Sequence, residues 1–285
     1  MEIFLMRTSF RAASIFLLLL FVSGAGPLRA DELGDKGRAI YKKNLHSVVT
    51  VELVLKSKMS FGGTGGQSSE SRQDATGTVL DSSGLIVLSL AATDPSQILQ
   101  SMMGSGDEDS KFKMESELSD IKILAEDGSE IPAEVVLRDK DLDLAFIRPK
   151  EKLASPMTPL DLSSPGVADI LDEVLALNRL GNAAGRSYAA SVDRISAIVR
   201  KPRLFYVPGA GAGMSALGAP AFTLDGKPLG IFVLRAMKSR GGGGSMFGSS
   251  QDNLTPIIVP VNDINKALKQ VPAWSEEKSR KAKSE

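Results

Sequence analysis

The chain has 285 residues, with 34 Lys+Arg balancing 34 Asp+Glu. That balance, with no basic stretch interleaved with aromatics, excludes the electrostatic footprint of a nucleic-acid binder. There is no cysteine and only one histidine, His46. Disulfides, a Cys nucleophile, thiolate and His-rich metal sites and lipid attachment at cysteine are therefore excluded, and His-dependent catalysis is severely limited. No cofactor is implied.

Arg7 and Arg11 precede an apolar stretch over residues 12–22, followed by small residues and by Leu28-Arg29-Ala30 before Asp31. This reads as a signal peptide over residues 1–30, cut after Ala30, and so as a protein exported to the periplasm or the extracellular space. A membrane span needs about 20 apolar residues, so membrane contact is expected only through an uncleaved leader.

Residues 33–45 form an amphipathic lead-in, and 47–55 are β-branched and partly alternating, which predicts a strand. The Gly/Ser-rich residues 60–71 are expected to be a mobile loop. Residues 75–80, a turn at 81–84 and residues 85–89 predict a β-hairpin. Residues 94–120 are the least regular part, with a short helix expected at 97–103. The acidic residues 106–109 lack the central Gly and terminal Glu of a calcium loop and read as solvated.

Strands follow at 121–124, 134–137 and 142–148, with a turn at Asp127-Gly128. Pro156, Pro159 and Pro165 mark residues 150–166 as a linker or crossover. The second half repeats the β rhythm at 173–177, 188–198, 204–207, 221–223, 228–234 and 255–260. A helix at 262–270 and a charged, disordered tail complete the chain. Runs of short strands without βαβ alternation predict an all-β protein built of two small barrels or a pair of sandwiches.

The order of motifs resembles the HtrA/Deg branch of the trypsin-like serine proteases. Gly77-Thr78-Val79-Leu80-Asp81 and Gly84 to Ser89 are similar to the hairpin that opens the catalytic domain. Asp127-Gly128, Ala133 to Val136, Asp139 and Asp143-Leu144-Ala145 resemble the segment carrying the catalytic Asp. Val174 to Leu177, Gly181-Asn182, Ser191-Val192 and Ile195-Ser196 resemble its Gly-Asn turn and next hairpin. Gly218-Ala219-Pro220, Leu224-Asp225-Gly226 and Leu229-Gly230-Ile231 resemble the segment after the nucleophile, and Ile258 to Asn262 the closing strand.

The resemblance implies a trypsin-like double β-barrel with a short C-terminal helix. The first barrel would span 31–150, the linker 151–166, the second barrel and helix 167–272, and the tail 273–285. Too few residues follow Gln270 for the PDZ domain typical of HtrA proteins. The implied triad is Ser nucleophile, His base and orienting Asp. Residue by residue, the Asp position matches Asp143, the His position is Ala91, and the Ser position, aligned without gaps on Pro220, is Leu217. Neither Ala nor Leu moves protons.

Two rescues remain open. His46 precedes the first strand, far in sequence from Ala91, and reads as a surface histidine. Ser215 becomes the nucleophile if two residues are inserted before Pro220, but Gly213-Met214-Ser215-Ala216-Leu217 lacks the second Gly of a nucleophile elbow. Lys227, its nearest lysine, falls in the next turn. Losing Ser or His from such a triad costs about 10⁶ in turnover. The expectation is an exported pseudoprotease that binds peptides or envelope proteins. The alternatives are an endopeptidase using Ser215 and a structural scaffold without ligand; the oligomeric state is not legible.

Overall fold

The computed structural model describes residues 31–61, 64–95, 112–209, 211, 213–236 and 254–274. The leader, the helix expected at 97–103, the acidic run 106–109, the glycine-rich run 239–245 and the tail from 275 lie outside them.

Helix α1 (Glu32–Asn44) leads into β1 (Val48–Phe61) and β2 (Thr64–Val79). The first half continues with β3 (Ile86–Ser89), the short α2 (Leu90–Thr93), β4 (Phe112–Leu124), β5 (Glu130–Asp139) and β6 (Leu144–Pro149). The second half holds β7 (Glu173–Arg179), β8 (Tyr188–Val199), β9 (Phe205–Pro208), β10 (Pro220–Thr223), β11 (Pro228–Ala236), β12 (Leu254–Pro260) and α3 (Val261–Leu268). Each half closes into a six-stranded antiparallel barrel, ordered β1-β2-β3-β6-β5-β4 and β10-β11-β12-β9-β8-β7. This all-β double barrel is consistent with a trypsin-like arrangement.

Period-two alternation explains why several strands are apolar on both faces. In β3, Ile86 and Leu88 fill the first lumen, whereas Val87 points outward. In β7, Val174 and Ala176 fill the second lumen, whereas Leu175 and Leu177 point outward. The outward residues meet in a shared core between the barrels, which also takes Phe146 of β6, Phe222 of β10 and Ile264 of α3. Three apolar layers thus hold the molecule: two lumens and one inter-barrel seam.

Two expectations are corrected. Residues 60–61 and 64–71 are strand rather than loop: β1 and β2 pair from Val48↔Thr78 out to Phe61↔Thr64. Residues 112–120, expected to be irregular, are strand, because β4 pairs along β1 from Phe112 to Leu124. Ladder hydrogen bonds satisfy the backbone here while Ser68, Ser69 and Ser71 stay exposed, so side-chain burial gave no signal for it. The C-terminal helix starts one residue earlier than expected, at Val261.

Candidate functional site

Ala91, Ser215 and Leu217 line one cavity of about 380 Å³, with Thr76 of β2, Asn178 of β7 and Met214 beside them. Ala91 sits on α2, the turn that follows β3. That turn is fixed from two sides: Gln73 Nε2 donates to the Ala92 carbonyl at 2.8 Å, and Leu90 N–H donates to the Asp143 carbonyl at 2.8 Å. Asp143 is thus bonded to the residue before Ala91, but it does not join Ala91 and Leu217 in lining the cavity. Arg235 Nε, at the end of β11, donates to Asp143 Oδ2 at 2.8 Å, and its Nη2 donates to the Asp141 carbonyl at 2.7 Å. The Arg235 guanidinium also lies 5.4 Å from the Phe205 ring centre.

Asp143 carries a left-handed backbone, with φ of 57°. Its carboxyl is buried, and this pushes its pKa up; the Arg235 guanidinium pulls against that shift. The carboxylate thus has a fixed cationic partner.

The turn bearing Leu217 is also closed on itself. Residues Gly213–Ala216 form a single 3₁₀ turn, and Asn178 Nδ2 donates to the Ser215 carbonyl at 2.9 Å. The next amides are all directed at protein carbonyls. Leu217 N–H faces Met214 at 3.5 Å, Gly218 N–H donates to Phe232 at 2.8 Å, and Ala219 N–H donates to Ala216 at 2.8 Å. An oxyanion hole needs amides aimed at the substrate, and these three are turned inward.

His46 lies elsewhere. Its Nδ1 sits 2.8 Å from Glu126 Oε1, and it lines a separate groove of about 970 Å³ that includes Tyr188 and residues 150–158. The Tyr188 hydroxyl donates to the same Glu126 oxygen. That hydrogen bond lowers the Glu126 pKa, while burial and the same bond raise that of Tyr188. His46 and Ser215 line different cavities. Lys227 pairs with Asp225 at 2.7 Å, within its own turn. Neither the histidine nor the lysine is brought to Ser215.

No protein-family model and no curated protein matches the chain. Its affinities therefore rest on the fold and on the motif order.

The hairpin joining β7 and β8 spans the gap between the barrels and frames the cavity. Arg186, at its tip, bonds both Asp74 oxygens, at 2.8 and 3.2 Å, and approaches Glu52 Oε2 at 3.4 Å. Arg179 stacks 3.9 Å from the Tyr188 ring centre and donates to Thr50 Oγ1 at 3.3 Å. Arg186 holds a positive φ of 52°, so the ion pairs also offset local backbone strain. The two carboxylates are mostly buried, but 31% of the Arg186 side chain remains in water, which weakens the pair through screening. Arg186→Ala is expected to cost about 1–2 kcal/mol, read by urea denaturation. An unchanged midpoint would mean that the hairpin docks without this ion pair.

Among the described residues, no group of three or more His, Cys, Asp or Glu side chains is placed to hold a metal ion.

Proposed function

We propose that this chain is an exported, catalytically inactive relative of the trypsin-like serine proteases, which holds peptides in the cleft between its barrels without cutting them. The pairing of Asp143 with Arg235 carries this reading, because it occupies the acid of the implied triad with a permanent cation. The cavity behind it is lined by Ala91 and Leu217 at the base and nucleophile positions, and Met214, Leu180 and Ala92 add apolar surface. An extended peptide suits such a cleft: its backbone takes ladder hydrogen bonds and its side chains take the apolar lining. Peptides or unfolded segments of envelope proteins are the proposed ligands.

The test combines a chemical probe with a binding screen. Purified protein is expected to leave unfolded casein intact and to resist a fluorophosphonate probe. Labelling that disappears in Ser215→Ala would overturn the inactive reading. On a peptide array, binding is expected above background, and Met214→Asp is expected to weaken it about tenfold. Absence of any bound peptide would reject peptide capture and favour a scaffold.

A further inference from the structure

Among the described residues, no strand covers the outer edge of β2 in the arm formed by β1, β2 and β4. Pairing of β2 with β3 is confined to Thr78↔Val87 and Val79↔Ile86. Below that, β2 has β1 as its strand neighbour, out to Thr64. Asp74 is taken by Arg186 and Gln73 by the Ala92 carbonyl, so the second barrel and α2 mark where the open stretch ends. Residues 68–72, Ser-Ser-Glu-Ser-Arg, are exposed at every position. An edge of this kind presents backbone donors and acceptors to another strand.

The charges on this edge are self-complementary. Glu70 and Arg72 share one face, separated by Ser71. An antiparallel pairing with Ser71 opposite Ser71 sets Glu70 of each copy against Arg72 of the other. The pattern extends inward through the registers. Glu70 pairs across to Lys56, and Lys56 to Glu117, whereas Arg72 pairs across to Val54, and Val54 to Asp120. A joined sheet would read Glu117, Lys56, Glu70, then Arg72, Val54 and Asp120 of the second copy. Signs alternate up to and across the seam. Among the described residues neither Glu70 nor Arg72 makes an ion pair within 4 Å, and the more distant charge of Arg72 acts on Glu130, whose pKa it helps to lower.

We propose that the outer edge of β2 around Ser71 pairs antiparallel with the same edge of a second copy of this chain, with Glu70 of each facing Arg72 of the other. The contact is isologous, so it closes as a dimer rather than growing into a fibre. The paired stretch ends beside the cleft, whose wall includes Gln73 and Asp74; the pairing rests on the β2 edge and its charges alone.

Sedimentation of the purified protein over a range of concentrations and salt tests the pairing. A monomer–dimer equilibrium that weakens with added salt is expected. Glu70→Lys and Arg72→Glu, each placing like charges at the seam, are expected to weaken dimerisation about tenfold. The doubly swapped chain, E70K/R72E, is expected to recover it. An equimolar mixture of the two single variants is expected to form a heterodimer, because each then supplies the charge the other lacks. Both positions are exposed, and circular dichroism checks that folding is retained. A monomer at every concentration, or a dimer indifferent to the single swaps, overturns the proposal. So do losses that neither the double swap nor the mixture repairs.

Discussion

Gly218→Ala is expected to lower stability by about 3–4 kcal/mol, the largest effect of any conservative change considered. Gly218 sits where the turn after Leu217 presses against β2. Its φ is 84°, a left-handed value that costs an L-residue about 1–2 kcal/mol. A Cβ there would also meet the Thr76 carbonyl oxygen well inside the 3.0 Å that real Cβ atoms keep. The obstacle is backbone, so no rotamer relieves it. The barrels would have to separate, and the buried bond from Thr78 Oγ1 to the Gly218 carbonyl, 2.8 Å long, would stretch.

Gly128→Ala separates the two contributions. Gly128 has the same φ of 84°, but a Cβ there would meet nothing within 4 Å. Its expected cost is therefore the backbone component alone, about 1 kcal/mol. Urea denaturation of the two variants, each against the parent protein, reads both numbers. Equal costs would show that contact between the barrels at Thr76 adds nothing, and that the seam is looser than the geometry implies.

The seam also shows which features a sequence can carry. The short apolar runs at 85–89 and 173–177 were legible as strands, and the order of short strands as two barrels or a pair of sandwiches. Which face of each strand turns to a lumen was not, because both faces are apolar and period two cannot rank them. The arm at 60–71 was misread for the opposite reason. Ser68, Ser69 and Ser71 are exposed, yet a backbone ladder on β1 makes the described part of this stretch strand. Of the three residues that motif order grouped, Ala91 and Leu217 line one cavity and Asp143 does not. Arg235 was invisible. It lies one residue beyond the strand expected at 228–234, and only its register opposite Thr255 and the approach of β6 bring it to Asp143. Asn178 and Gln73 were missed likewise, because each acts by bonding a single distant carbonyl, a contact that leaves no periodic signature.

Arg235→Leu should expose what that cation does. The variant leaves Asp143 largely buried, with 19% of its side chain exposed, and without its charged partner. Breaking a buried pair on one side commonly costs about 3–5 kcal/mol, and residual access to water lowers this to about 2–3 kcal/mol at neutral pH. The pH dependence has a definite sign. Burial already raises the Asp143 pKa above its ordinary value, and removing Arg235 deletes the main opposing pull. Between the unfolded value, about 3.9, and the raised folded value, the native state binds more protons than the unfolded chain. Stability of the variant must therefore fall as pH rises through that window and recover as pH drops below it. Adding Asp143→Asn to Arg235→Leu removes the titrating group, so the double variant should lose most of this dependence. A cost for Arg235→Leu that is as large at pH 4 as at pH 7 would mean that lost packing on Phe205, not the stranded carboxylate, is responsible. The same pair bears on catalysis. Introducing Ala91→His and Leu217→Ser together would still leave the acid engaged by Arg235 and the Leu217 amide turned toward Met214. Adding the two side chains is therefore expected to create neither an oriented imidazole nor an oxyanion hole, because Asp143 and the Leu217 amide are already engaged within the protein.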